Sequence, residues 1–164
     1  MRPVTSVASW GERRQGDNYL RLNGAIGVSV SESGLVRVAT LYCHPKDRFT
    51  KKFADKVLRK RLEVESADTL VWQGQVTDAA RQRDTAIKDI VTPFTEAFYL
   101  GLVESLSVIG VDRSKGGERM IFGRSFHTYS RKVDRRVLET AISLGEAKHL
   151  YPLPIPRVAG EGPR

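Results

Sequence analysis

Between Ala25 and Cys43 the chain reads AIGVSV, SESG, LVRVATLYC: two β-branched runs joined by a four-residue turn signal. This unit limits the rest of the fold more than any other. Ile26, Val28 and Val30 alternate with small residues, the period-two pattern of a strand with one apolar face. Ala25 and Gly27 on the other face leave room for close packing there. YLRL precedes the unit, followed by Asn23-Gly24, a short-range hairpin signal because both residues tolerate positive φ. The expectation is three consecutive antiparallel strands forming a meander.

The next segments carry helical periodicity. His44-Pro45 ends the third strand, since a proline keeps its predecessor out of helical geometry. Asp47 is the expected N-cap of a helix running to about Leu62. At about 100° per residue, Phe49, Phe53, Val57 and Leu58 share its apolar face, with Arg48, Lys52, Lys56 and Arg59 on a neighbouring one. Arg61 falls inside the apolar sector, where an ion pair to the acidic segment 64–110 is one reading. DTLVWQ, Asp68 to Gln73, reads as a short strand closed by Gly74. Thr77 or Asp78 then caps a helix to Val91, with Ala79, Arg83, Ile87, Ile90 and Val91 at helical spacing. Pro93 interrupts it. A second helix resumes with Phe94, Phe98, Leu102 and Leu106 four residues apart, accompanied by Ala97 and Leu100. SVIGV, DRSKGG and ERMIFG read as strand, turn and strand, Gly116-Gly117 making the reversal. Ser130 is the expected cap of a last helix over 131–147, with Val133, Val137, Ala141 and Leu144 on one face.

These elements make an α+β fold: an N-terminal antiparallel β-meander with helices packed on one face, and a C-terminal hairpin plus helix. Residues 1–17 mix Pro, Ser, Gly and charge and are expected to form a loosely ordered arm. Residues 18–150 are the one α+β domain that 164 residues suggest. Residues 151–164, with prolines at alternate positions, form an extended tail.

Composition narrows the function classes. No apolar run approaches the roughly 20 residues that cross a bilayer, so no membrane partner is expected. The N-terminus lacks an apolar core followed by a cleavage site. One cysteine, Cys43, excludes an internal disulfide framework. The expected location is cytoplasmic. The net charge of +8 is segregated: residues 46–63 hold eight Lys/Arg against three acids, residues 64–110 three against seven, and residues 111–164 eleven against six. Fields of opposite sign on different elements point to an anionic partner.

Two clusters carry that expectation. The first is the basic helix, with Arg48, Lys51, Lys52, Lys56, Arg59 and Lys60 as candidate anion-binding residues, since neutralised phosphates release counterions. Its plainer reading is a surface helix whose Lys and Arg stems shield apolar neighbours. The second spans Arg113 to Arg136, with Arg119, Arg124, Arg131, Lys132 and Arg135 as candidates. Phe122, Phe126, His127 and Tyr129 are interleaved with it, a combination suited to stacked bases. Its plainer reading buries the aromatics. The SKGG turn is only a fragment of a phosphate loop.

The three histidines, His44, His127 and His149, show no metal-ligand spacing, so no metal or cofactor is expected. Cys43 reads as a small strand residue, although a pair with His127 stays open on sequence alone. Glu96 and Glu104 read as an acidic counter-surface with Asp78, Asp84 and Asp89, facing the same chain or a second copy in a homo-oligomer. No catalytic signature names a reaction. An enzyme acting on phosphate esters would use His127 as acid–base, without an identifiable second group.

The stretch VATLYCHPKDRFTKKFADKVLRKRLE, Val38 to Glu63, resembles a segment of small bacteriophage-encoded proteins, where a strand runs into a polar P-K-D loop and a Lys/Arg-rich helix. That group often carries Gly-Arg after the paired basic residues; Ala54-Asp55 stand here. The resemblance implies a viral accessory role inside a bacterial cell and transfers no residue role. The expectation is therefore a non-enzymatic protein binding nucleic acid, or an anionic nucleotide, through the Lys46–Arg61 helix, with Arg113–Arg136 as a secondary contact. The alternative is a counter-defence or host-takeover protein that inhibits an acidic host protein or sequesters a nucleotide signal.

Overall fold

The turn at Ser31–Gly34 anchors the observed architecture. Gly34 adopts φ 85°, a left-handed conformation that glycine enters without steric cost. Its amide donates to the Ser31 carbonyl at 3.0 Å, and the Ser31 hydroxyl accepts from the Leu35 amide at 3.0 Å. This reversal joins β2 (Asn23–Val30) to β3 (Leu35–Cys43) in antiparallel register, Val28 opposite Val38. The computed structural model describes residues 3–11, 23–43, 48–63, 70–76, 87–108, 111–112, 119–120 and 124–146.

The meander is present, and the strand that precedes β2 in it lies nearer the N-terminus than YLRL. Val4–Trp10 forms β1, an edge strand antiparallel to β2, where the sequence suggested a loose arm. Its β-branched Val4, Thr5 and Val7 favour an extended chain; Ser6 and Ser9 conceal the pattern. Residues 19–22 lie outside the described residues. Asn23-Gly24 is no turn: both are buried within β2, Gly24 standing opposite Trp10 and Tyr42. A Cβ there would lie 3.0 Å from the Phe98 ring, so any larger residue would push that ring aside.

β4 (Trp72–Val76) pairs with β3 a few residues later than the expected 68–73, so Gly74 sits inside the strand opposite Val36. A two-residue strand, Gly145–Glu146, pairs with β4 and completes a five-stranded antiparallel sheet in which β1 is the opposite edge.

The helices are α1 (Lys51–Glu63), α2 (Ile87–Val108) and α3 (Arg124–Leu144). β5 (Val111–Asp112) and β6 (Arg119–Met120) make the C-terminal hairpin before α3. The fold is α+β with an N-terminal meander. The helices, however, cover both faces of the sheet. Ile26, Val28, Val30, Val36 and Val38 pack against α2 and α3, through Phe94, Phe98, Leu102, Val133 and Val137. Ala25 and Ala39, on the other face, pack against Ala54, Leu58 and Leu62 of α1. Small residues create this second core: at Gly27 a Cβ would lie 2.9 Å from Leu62 Cδ1 and 3.3 Å from Leu58 Cβ, so α1 lies directly on the strand.

α2 runs through Pro93 without a break. The proline sits in the second turn, where it removes one backbone hydrogen bond, and packing of Ile90, Val91, Phe94 and Phe98 on the sheet offsets that loss. α3 likewise begins at Arg124, earlier than the expected cap at Ser130, which is a buried interior position.

Candidate nucleic-acid interface

The core fixes which way α1 presents its charge. Ala54, Leu58 and Leu62, at i, i+4 and i+8, face the sheet. Thr50 caps the helix, its hydroxyl accepting from the Phe53 amide at 3.3 Å; Asp47, the expected cap, lies outside the described residues. Two arginines lock helix to sheet reciprocally. Arg37 of β3 donates to the Leu62 carbonyl at 3.3 Å, satisfying a helix C-terminal acceptor, and Arg61 of α1 donates to the Thr40 carbonyl at 2.9 Å.

With that rotation, Lys51, Lys52, Lys56, Arg59 and Lys60 are all exposed, as is Arg48 just before the helix. Lys52, Lys56 and Lys60 form a row rising about 6 Å per step. Arg59 pairs with Asp55 one turn earlier, Nε to Oδ2 3.0 Å, an exposed contact that restrains the guanidinium without removing it from solvent. Phe53 contradicts its assignment to the apolar face. It is 62% exposed and stands on the outward face at the edge of the lysine row. Phe49 does pack on the α1-side core and Val57 is half-buried, so the aromatic pair divides between core and surface.

Among the described residues, the cations of the second cluster do not join the first. α3 packs on the opposite face of the sheet, so its cations and those of α1 do not share one surface. Lys132 and Arg135 are exposed and Arg131 is half-buried. Arg136 forms an ion pair with Glu104 of α2, which draws that acid into a helix–helix contact instead of a free acidic surface. Tyr129 is fully buried and offers no face to a base. Arg119 and Arg124 lie on β6 and at the start of α3, with side chains outside the described residues, as are those of Phe126 and His127. Arg113, Lys115, Phe122, Asp78 and Asp84 also fall outside them.

The sequence reading missed one site on α3. Asp134 is buried and accepts from the Thr40 hydroxyl at 3.2 Å and from the Tyr42 phenol, tying α3 to β3. Burial pushes its carboxyl up to about 7, against the lowering effect of those two hydrogen bonds. Burial, then the Asp134 charge, raises the Tyr42 phenol. The signal was available: Asp134 follows Val133 and precedes Val137 on the arc that the apolar residues mark as inward. Cys43, half-buried, ends the same strand. Among the described residues no group of three His, Cys, Asp or Glu side chains converges as a metal site, and no helix is long and apolar enough to cross a membrane.

Compared with protein-family models, curated proteins and solved structures, the chain matches none.

Proposed function

We propose that the protein binds nucleic acid through the solvent face of α1, with single strands favoured over duplex. The observation that carries this reading is Phe53, exposed to water beside the row of Lys52, Lys56 and Lys60. A phenylalanine held outside the core by a well-packed helix gains by covering its ring. Bases supply a flat partner, and each stacking contact is worth about 1–3 kcal/mol. The lysine row supplies the sequence-independent attraction to phosphates. Every base has a π-face, so this pairing of ring and cations recognises a strand without reading its sequence.

The test is a fluorescence-anisotropy titration of a labelled single-stranded oligonucleotide over a range of salt concentrations. Reversing Lys52, Lys56 and Arg59 to Glu should abolish most of the affinity and reduce the steepness of the salt dependence by about 2, near 0.7 per lost phosphate contact. Phe53→Ala should weaken binding roughly tenfold while leaving the salt slope in place. Affinity and slope unchanged in both variants would overturn the reading.

A further inference from the structure

Among the described residues β1 is the outermost strand of the sheet, and nothing pairs with its outer side. Natural edge strands are guarded by lysine, proline, a bulge or brevity. VTSVASW has none of these: it spans seven residues, is uncharged, and follows β2 in unbroken register from Val4 opposite Val30 to Trp10 opposite Gly24. The exposed stripe beside it is apolar as well. Tyr99 of α2 touches Trp10, ring centroids 5.6 Å apart, and is 45% exposed; Val103, one turn on, is 44% exposed.

We infer that this edge is a homodimer interface, in which β1 pairs antiparallel with β1 of a second copy. Centred on Val7, the pairing uses all seven residues: Val4 meets Trp10 of the second copy, Thr5 meets its Ser9, and Val7 meets its Val7. No like charges are brought opposite one another, because the strand carries none. The same register sets Trp10 and its neighbour Tyr99 beside Val4 of the second copy, once at each end of the pairing. Seven paired residues extend about 24 Å, and with the two aromatic shelves the contact reaches on the order of 1,000 Å², the scale of a specific if modest interface. A foreign extended peptide would satisfy the backbone, but only a second copy repeats the shelf at both ends.

The two-fold axis of an antiparallel strand pair is perpendicular to the sheet, so both faces are preserved across the dimer. The sheet becomes continuous through ten strands, and the two α1 helices lie on the same side of it. The dimer does not rest on nucleic-acid binding, and its test is separate.

That test is sedimentation equilibrium of the full chain, treated with nuclease, across the micromolar range, with amide hydrogen exchange at low and high concentration. The expected result is a monomer–dimer equilibrium in which β1 amides become protected as the concentration rises. Thr5→Lys and Val103→Lys change exposed positions and leave both cores intact; together they should raise the dissociation constant at least tenfold. A protein monomeric at every concentration overturns the inference. So does a dimer that both substitutions leave unchanged, or β1 protection that appears only on adding a foreign peptide.

Discussion

α1 and α3 are both rich in Lys and Arg, and they use that charge in opposite ways. α1 is held to its face of the sheet by Ala54, Leu58 and Leu62 over Ala25, Gly27 and Ala39, with Arg37 and Arg61 bonding across the contact. Its remaining cations are left on the outside. α3 takes an acid into the core, Asp134, and commits Arg136 to Glu104. The count of cations therefore does not locate a binding surface. What locates it is the rotation each helix adopts to fill its core, because that decides which charges reach water and in what company.

The largest expected effect separates the two helices by pH. The Asp134 carboxyl has an ordinary value of 3.8 and is raised to about 7 in the fold. Between those values the native state retains a proton that the unfolded chain has released. The stabilisation is full below about pH 4 and is lost as pH rises through 7, a difference on the order of 4 kcal/mol. Urea unfolding at pH 5 and pH 8 should show about 2–3 kcal/mol of it. Asp134→Asn, which keeps the acceptor oxygen, should flatten the profile, whereas substitutions on α1 should leave its shape alone. A second, smaller effect belongs to α1. Gly27→Val places methyl groups where Leu58 and Leu62 already lie and should cost about 3 kcal/mol by overpacking. Unfolding midpoints report that loss, and hydrogen exchange should locate it at α1 before α3. The smallest effect concerns binding: reversing exposed Lys132 and Arg135 to Glu should change oligonucleotide affinity by less than about threefold, since rim charges away from a site act only through the screened field. A larger change would mean that α3 contributes to the interface after all.

Particular residues show why the sequence reveals some of this and hides the rest. The Ser31–Gly34 turn and β3 are legible because the turn demands left-handed geometry at Gly34 and the strand is β-branched throughout. The inward arc of α3 is legible from Val133, Val137 and Ala141. Asn23-Gly24 misleads because the local turn signal is overridden by pairing within the sheet, where Gly24 lies close beneath the Phe98 ring. The second core was legible only in part. Ala25 and Gly27 signal close packing on their face, but that α1 is what fills it follows from the three-dimensional contact. Phe53 could not be placed from periodicity alone, since two apolar faces are available on the helical wheel and only contact with the sheet selects between them. The separation of Lys132 and Arg135 on α3 from the cations of α1 follows from topology, and one chain's charge pattern does not encode it.

The proposal that α1 binds single strands turns most directly on whether that helix meets an oligonucleotide at all. An amide chemical-shift titration with a short single-stranded oligonucleotide measures this residue by residue. The expected result is progressive shifts at Lys52, Phe53, Lys56 and Lys60, with Lys132 and Arg135 unmoved. Shifts concentrated on Lys132 and Arg135, or no saturable shifts on α1, would contradict it.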